Sequence, residues 1–221
     1  MRRVEELNLH SLKIIQDDDL YCFTSDAIIL SKFAVCKKGE VVADFCSGSG
    51  IVGFNLFGLN ENLIKSVTFF ELQKPLFEMS LDSVKLNNLE DKFRAVNIPL
   101  QDIPCEYNEK FSLIVCNPPY MPISSGATNK NNQIAICKSE VCLSLSELVK
   151  AFSKCLKFGG RVCMCHRADR LSDVIYEFKI NNIEPKKIQF VTSKNKEPYL
   201  LLIEGVKGGK SGVKVLNALE N

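Results

Sequence analysis

The stretch VVADFCSGSGIVG, residues 41–53, decides the fold of this chain. It starts as a short apolar strand, passes through a glycine turn and continues as the helical pattern GIVGFNLFGL. Gly48, Gly50 and Gly53 match the spacing G-x-G-x-x-G, in which a tight turn lets the backbone approach a bound ligand at a helix start. The pattern predicts the first strand–turn–helix unit of an α/β sheet, and this spacing alone does not select one ligand.

Strand and helix patterns alternate on the carboxyl side of this unit. Such alternation implies right-handed crossovers and a mainly parallel sheet covered by helices on both faces. The last two strands have few residues between them, which predicts an antiparallel pair that adds an edge to the sheet. We therefore predict a Rossmann-like α/β fold with strands at 40–46, 66–72, 93–98, 111–116, 161–166, 186–193 and 198–207, and helices at 50–59, 75–88, 139–157 and 167–182.

The amino-terminal part of the chain is predicted to be an extension. The segment LKIIQDDDLYCFTSDA, residues 12–27, is typical of two short strands around an acidic turn. The following SDAIILSKFAV predicts a helix with Ser25 as its N-cap and Gly39 beyond its end. This divides the chain into a hairpin and helix lid at residues 1–38 and a main domain at residues 39–221.

Composition indicates a folded globular protein. Hydrophobic residues make up 46% and charged residues 24% of the 221 residues, which argues against disorder. Apolar runs are too short to span a bilayer and the amino terminus lacks a signal-like apolar region, so we expect a cytoplasmic protein. A net charge of +2 is too small to demand nucleic acid. Local basic clusters remain candidates for contact with nucleic acid: Arg167 and Arg170, Lys186 and Lys187, Lys194 and Lys196, and Lys207, Lys210 and Lys214 at the carboxyl-terminal tail.

Ten cysteines lie between Cys22 and Cys165, mostly inside apolar runs. No C-x-x-C pair occurs and the chain has two histidines, so no metal site of the zinc type is predicted. We interpret the cysteines as buried reduced thiols that pack as small apolar side chains.

The segment NPPY, residues 117–120, ends the strand FSLIVC. Two consecutive prolines cannot continue a central strand, so this segment is a rigid strand end. Asn117 offers a side-chain carbonyl and Pro118 a backbone carbonyl, two acceptors suited to the two hydrogens of an exocyclic amine. Tyr120 could stack on a base. The polar segment at 121–137 is interpreted as a substrate loop.

Three acidic residues lie on predicted strands or shortly after them: Asp44 and Glu71 towards the ends of their strands, and Asp102 after the strand 93–98. Asp44 precedes the glycine turn, where a carboxylate favours a ligand with an ammonium group over a pyrophosphate. Glu71 could accept ribose hydroxyls, and Asp102 in LQDI could accept adenine amino hydrogens. The set indicates S-adenosylmethionine as the cofactor. A nicotinamide dehydrogenase and a non-catalytic nucleotide-binding module remain as alternatives.

DFCSGSG, Glu71, Asp102 and NPPY together resemble the class I amino-group methyltransferases. With FTSDAIILSKFA near the start and LLIEGVKGGKSGVKVLNAL near the end, the whole chain resembles the bacterial valine-tRNA adenine-N6 methyltransferases. The resemblance implies a seven-stranded, mainly parallel sheet with an antiparallel carboxyl-terminal strand. It also implies methylation of the adenine beside the anticodon. A protein glutamine amide, ribosomal RNA and DNA adenine stay open as other acceptors, and a monomer is favoured.

The resemblance assigns roles by position. It implies cofactor contacts from Thr24, Asp44, Cys46, Gly48, Gly50, Glu71, Leu72, Asp102, Ile103 and Asn117. It implies that Asn117, Pro118 and Tyr120 handle the target amine, while Arg167 and Arg170 are expected to contact phosphate. Two departures from the family pattern are Cys46, where glycine is common, and the segment KSE at 138–140.

Overall fold

Strands with apolar side chains on both faces form the centre of the molecule. The computed structural model describes residues 2–7, 11–20, 24–119 and 143–221. An amino-terminal hairpin, the strands of a central sheet and five flanking helices make up these ranges. The strands are β1 Arg2–Glu6, β2 Lys13–Asp17, β3 Glu40–Phe45, β4 Ile64–Phe70, β5 Phe93–Val96, β6 Phe111–Cys116, β7 Leu156–Arg167, β8 Ile183–Thr192, β9 Pro198–Lys207, β10 Lys214–Val215 and β11 Leu219–Glu220. The helices are α1 Ser25–Phe33, α2 Ile51–Asn60, α3 Lys74–Leu86, α4 Leu145–Cys155 and α5 Leu171–Ile180.

The central sheet has the order β8-β9-β7-β6-β3-β4-β5, with β10 and β11 added in parallel along β8. All of its strands are parallel except β9, which is antiparallel to both β7 and β8. The predicted antiparallel pair of β8 and β9 is confirmed on this side of the sheet, and within the pair β9 lies between β7 and β8. The short connection between β8 and β9 requires them to be antiparallel neighbours but does not determine which of them lies beside β7.

Helices cover both faces of the sheet, as the alternation predicted. On one face, α1 and α2 pack against Val42, Val115 and Cys163. On the other, α4 and α5 pack against alternate residues of the same strands, such as Ala43 and Cys116. Because successive side chains of a strand point to opposite faces, Asp44, Asn117 and Cys165 share the α1 and α2 side.

The amino-terminal hairpin pairs β2 with β1, which lies before it in sequence. The prediction of a strand at LKIIQ is confirmed, but its partner is the charged segment Arg2–Glu6, which has no apolar alternation to reveal it. The second predicted strand, around residues 20–23, lies largely outside the described residues. Helix α1 begins at Ser25 with Thr24 at the N-cap position, so the predicted N-cap was one residue late.

Helix α4 begins one residue after Ser144, which forms a capping box with Glu147. This start is later than the predicted one, and residues 139–142 lie outside the described ranges. Among the helices that the structure describes, none is long and apolar enough to cross a membrane.

Candidate cofactor and target-amine site

The glycine turn connects β3 to α2 in a left-handed backbone conformation. Cys46, Gly48 and Gly50 have φ of 55°, 57° and 90°. A Cβ at Gly50 would lie 2.9 Å from Cζ of Phe69, and one at Gly53 would lie 2.5 Å from Cε1 of the same ring. The turn therefore requires glycine at 50 for backbone conformation and at 53 for close packing of α2 on the sheet.

Asp44 lies at the end of β3 and is completely buried. Its Oδ2 accepts a hydrogen bond from the backbone N–H of Gly53 at 2.9 Å. Its Oδ1 is buried and has no hydrogen-bond partner within the described structure. Burial, and secondly the nearby Glu71 carboxylate, raise the pKa of Asp44 to about 8. The position suits a ligand that brings a positive charge and a donor.

Side chains from the hairpin and the turn itself complete this region, and sequence reasoning did not identify them. Gln16 on β2 donates through Nε2 to Oγ of Ser49 at 2.5 Å, so the hairpin packs directly on the glycine turn. Oε1 of Gln16 and Oγ of Ser47 are buried without a partner in the described part of the chain. The signal that could have identified Gln16 is its place at a buried position of the alternating strand KIIQD.

Glu71 follows β4 and its carboxylate reaches back to the glycine turn. Oε2 accepts from the N–H of Gly48 and Oε1 from the N–H of Gln73, each at 2.8 Å. Burial raises the pKa of Glu71. Asn97, which was not predicted, donates to the backbone carbonyls of Glu71 and Leu72 at 2.8 and 2.9 Å and so holds this strand end. Lone pairs of the carboxylate that these N–H groups do not use are available to a ligand hydroxyl.

Asp102 and Ile103 follow β5 on a short 3-10 turn, Leu100–Asp102. Asp102 is exposed, whereas Ile103 is buried and packs in the core on the α4 side. The carbonyl of Ile103 accepts from Nζ of Lys154 at 2.6 Å, which ties this turn to α4. Leu72 is 43% exposed, so an apolar side chain at the adjacent strand end is available to a planar ligand.

Asn117 and Pro118 continue from β6 beside the glycine turn. The strands β3 and β6 are parallel neighbours in which Phe45 pairs with Cys116, so Asn117 lies next to the start of the turn. Asn117 is half-buried and Pro118 is buried. Oδ1 of Asn117 accepts a hydrogen bond from the thiol of Cys165 at 2.9 Å. Tyr120 lies outside the described residues.

The remaining predicted residues lie around the carboxyl ends of the parallel strands. Thr24 is exposed at the start of α1. Arg167 and Arg170, after β7, pair with the nearby carboxylates of Asp169 and Asp173. His166 is buried, and burial lowers its pKa to about 4, which makes it neutral at pH 7.

Most cysteines in the described ranges are buried and none forms a disulfide. Cys105 is exposed, and Cys46 is half-buried beside Cys116. Burial raises the pKa of Cys116 well above its ordinary value, so this thiol is a poor nucleophile. No group of three or more His, Cys, Asp or Glu side chains in the described structure could hold a metal ion.

The sheet order, the inserted antiparallel β9 and the glycine turn after β3 define a class I methyltransferase fold. The same conclusion follows from comparison with protein families. This chain belongs to the methyltransferase small domain family, whose model matches residues 24–169. The match excludes the dehydrogenase that the glycine spacing alone left open.

Curated relatives carry methyltransferase names. The tRNA1(Val) (adenine(37)-N6)-methyltransferase of Shewanella putrefaciens is 27% identical over 148 residues, 65% of this chain and 60% of that protein. The Shewanella baltica protein of the same name is 24% identical over 194 residues, 84% of this chain and 79% of that protein. A release factor glutamine methyltransferase from Clostridium acetobutylicum is 26% identical over 156 residues, 66% of this chain and 54% of that protein. The chain thus spans about three-fifths of the length of the S. putrefaciens relative.

Solved structures share the fold at low sequence identity. A predicted O-methyltransferase from Agrobacterium tumefaciens superposes with a TM-score of 0.68 at 16% identity, covering 89% of this chain and 88% of that one. The M. jannaschii protein TYW2, solved in complex with AdoMet, has a TM-score of 0.64 at 12% identity, covering 93% and 85%. These similarities concern the fold alone.

Proposed function

We propose that this chain is an S-adenosylmethionine-dependent methyltransferase that acts on the N6 amino group of an adenine in tRNA. The observation that carries the proposal is the position of Asn117 and Pro118 beside the glycine turn, which follows from the register of β3 and β6. A ligand held by the turn would present its reactive end to these two carbonyl groups.

The residues around the turn fit S-adenosylmethionine. Nothing lies within 4 Å of a Cβ built on Gly48, which leaves space against the turn backbone. The unpartnered Oδ1 of Asp44 suits the ammonium of the methionine part. Glu71 would accept ribose hydroxyls, and Asp102 with Ile103 would border the adenine. When bound, this cofactor supplies an electrophilic methyl group on a sulfonium.

Asn117 and Pro118 would act on the target amine. The lone pair of an exocyclic adenine amine is delocalised into the ring, so the nitrogen is a weak nucleophile. Oδ1 of Asn117 and the carbonyl of Pro118 would accept its two hydrogens and favour a geometry that directs the lone pair at the methyl group. No strong general base is needed for this step. Tyr120, outside the described residues, is proposed from sequence alone to stack on the adenine.

The relatives support tRNA as the substrate. The Shewanella proteins are named for the adenine at position 37 of a valine tRNA, the position expected from the sequence resemblance. We propose the same target for this chain, which would place the reaction in the cytoplasm. Arg167 and Arg170 would contact phosphate by exchanging their carboxylate partners for the RNA backbone.

Methyl transfer from labelled S-adenosylmethionine to unmodified total tRNA, followed by nucleoside mapping, tests the proposal. We expect label in N6-methyladenosine of valine tRNA. Asn117→Ala should lower the rate by about 100-fold or more, the effect of losing a preorganised transition-state acceptor. Asn181→Ala, at the end of α5, is the matched control and should keep the rate. Absence of label in RNA would contradict the proposal.

A second acceptor is the side-chain amide of a protein glutamine. The similarity to the Clostridium release factor glutamine methyltransferase favours it, and a primary amide offers the same two N–H hydrogens to Asn117 and Pro118. Incubation with ribosomal and release-factor fractions beside the tRNA distinguishes the two. Label recovered in protein and absent from tRNA would select the glutamine acceptor.

A further inference from the structure

A buried cysteine contacts the amide that the proposed reaction depends on. In the parallel pair of β6 and β7, Cys116 pairs with Met164, so Asn117 and Cys165 follow side by side. Both side chains lie on the face covered by α1. Sγ of Cys165 is 2.9 Å from Oδ1 of Asn117.

The thiol can only be the donor in this contact. A carbonyl oxygen has no hydrogen to give, so the S–H of Cys165 must point at Oδ1. Cys165 is completely buried. Burial, and secondly the carboxylate of Asp26 on α1, raise the pKa of Cys165 well above its ordinary value, so the proton stays on sulfur.

The orientation of the Asn117 amide matters for the proposed step. The oxygen and the NH2 group of an asparagine have nearly the same shape but opposite hydrogen-bonding roles. An NH2 group facing the target amine would place one hydrogen-bond donor against another, whereas Oδ1 accepts one of the two N–H hydrogens of the amine. Oδ1 has two lone pairs, so it can accept from Cys165 and from the amine together.

We infer that Cys165 is a positioning residue, whose thiol holds the Asn117 amide with its oxygen available to the target amine. The inference rests on the proposed function for its consequence on rate. It assigns a specific task to one member of a set of cysteines that otherwise serve as apolar packing.

Cys163 supplies the matched control. It lies two residues earlier on the same strand and face and is also completely buried. Its thiol faces Oε2 of Glu204 at 3.8 Å rather than the proposed site. Substitutions at Cys163 therefore reproduce the loss of a buried thiol without touching Asn117.

Alanine and serine at Cys165 separate hydrogen bonding from packing, because they are close in size and only serine donates. We expect Cys165→Ala to lower the single-turnover methyl-transfer rate about three- to tenfold, the effect of one hydrogen bond, with unchanged affinity for S-adenosylhomocysteine. Cys165→Ser should restore most of the rate. At the control position, Cys163→Ala and Cys163→Ser should have methyl-transfer rates equal to each other.

Infrared spectroscopy tests the contact without any assay of activity. The difference spectrum between the wild type and Cys165→Ala isolates the S–H stretching band of Cys165. Removing the acceptor in Asn117→Leu should move this band to higher wavenumber, while the band isolated in the same way for Cys163 should not move.

The two measurements distinguish the failure of this inference from the failure of the proposed function. A wild-type protein that methylates no tRNA would contradict the function, and the infrared shift would still decide the contact. A band that does not respond to Asn117→Leu, or equal rates for Cys165→Ala and Cys165→Ser, would overturn the inference.

Discussion

Asp44 places a carboxyl group in the core with only one oxygen hydrogen-bonded inside the described structure. An unpaired buried acceptor costs about 1–3 kcal/mol, so this residue opposes folding of the ligand-free protein. Its raised pKa of about 8 reduces that cost by keeping the group protonated. A bound cation would favour the ionised form, which is the form useful to a cofactor with an ammonium group.

Asp44→Asn is expected to change the pH dependence of stability. The folded-state pKa of about 8 exceeds the ordinary value of 3.8, so over this range only the unfolded state releases the proton. The contribution of Asp44 to stability is therefore present at low pH and lost as the pH rises towards 8. The Tm of Asp44→Asn minus that of the wild type should grow by at least about 2 °C from acidic to mildly alkaline pH.

Thermal unfolding monitored by circular dichroism across this pH range checks the prediction. Asp91→Asn, an exposed position after α3, serves as the control. A Tm difference that is the same at every pH would mean that Asp44 ionises at its ordinary pKa.

The hairpin and α3 show how a helix can complete the edge of a strand. Asn87, the C-cap of α3, accepts from the backbone N–H of Lys13 and donates to its carbonyl, at 2.8 and 2.6 Å. Oγ of Ser83 accepts from the N–H of Ile15 at 2.9 Å. These bonds satisfy the edge of β2 and place Gln16 against Ser49 of the glycine turn. The hairpin is thus fixed both to α3 and to the glycine turn of the proposed cofactor site.

Asn87→Ala should loosen the hairpin more than the rest of the fold. It removes two hydrogen bonds to Lys13 and leaves an edge of β2 unpaired, with an expected loss of about 1–2 kcal/mol in local stability. Hydrogen exchange should become faster at the β1 and β2 amides and stay unchanged in β6. Asn181→Ala removes a C-cap asparagine that bonds only within its own helix end, and it should leave hairpin exchange as it is. Equal exchange in both variants would contradict this role of Asn87.

At the scale of the whole molecule, the topology separates two groups of basic residues along the direction of the strands. One group lies at the carboxyl ends of the parallel strands, and the other lies towards their amino ends. The turn after β8 carries Lys194 and Lys196, and it lies at the same edge as the carboxyl ends of β3, β6 and β7. The tail lysines lie towards the other edge, because Lys207 pairs with Ile183 at the start of β8. The length of β8 separates Lys207 from the turn by about 30 Å, whereas Lys214, which pairs with Lys187 in the middle of β8, lies about 20 Å from it. The proposed RNA substrate, when it reaches Asn117, would therefore lie closer to Lys194 and Lys196 than to Lys207 and Lys214.

Lys194→Ala with Lys196→Ala should weaken tRNA binding and reduce its dependence on salt. Each phosphate interaction that the substitutions remove should lower the slope of log Kd against log salt by about one. Lys210→Ala with Lys214→Ala is the matched control, since it removes two exposed lysines, of which Lys214 lies beside Lys187 in the middle of β8, away from the turn. Filter binding across a salt series measures both. A larger effect from the tail pair would contradict the proposed RNA-facing edge.

Much of the fold could be predicted because the signals are local. Apolar runs bounded by glycine and proline located the strands from β3 to β9, and Asp44, Glu71 and Asn117 were placed at strand ends that prove to be neighbours. β1 was not predicted, nor was the position of β9 between β7 and β8. A charged strand has no periodic signal, and the partner of a strand depends on contacts that are distant in sequence.

The sequence by itself determined the strands from β3 to β9, the glycine turn and the acceptors at the end of β6, because backbone conformation and hydrogen-bonding chemistry belong to the residues. Only the tertiary structure decided that Gln16 packs on Ser49, that Asn97 holds the end of β4 and that Cys165 donates to Asn117. These pairs join residues 33, 26 and 48 positions apart. Strand order and register bring them together, and that information is distributed over the whole core rather than carried by any segment.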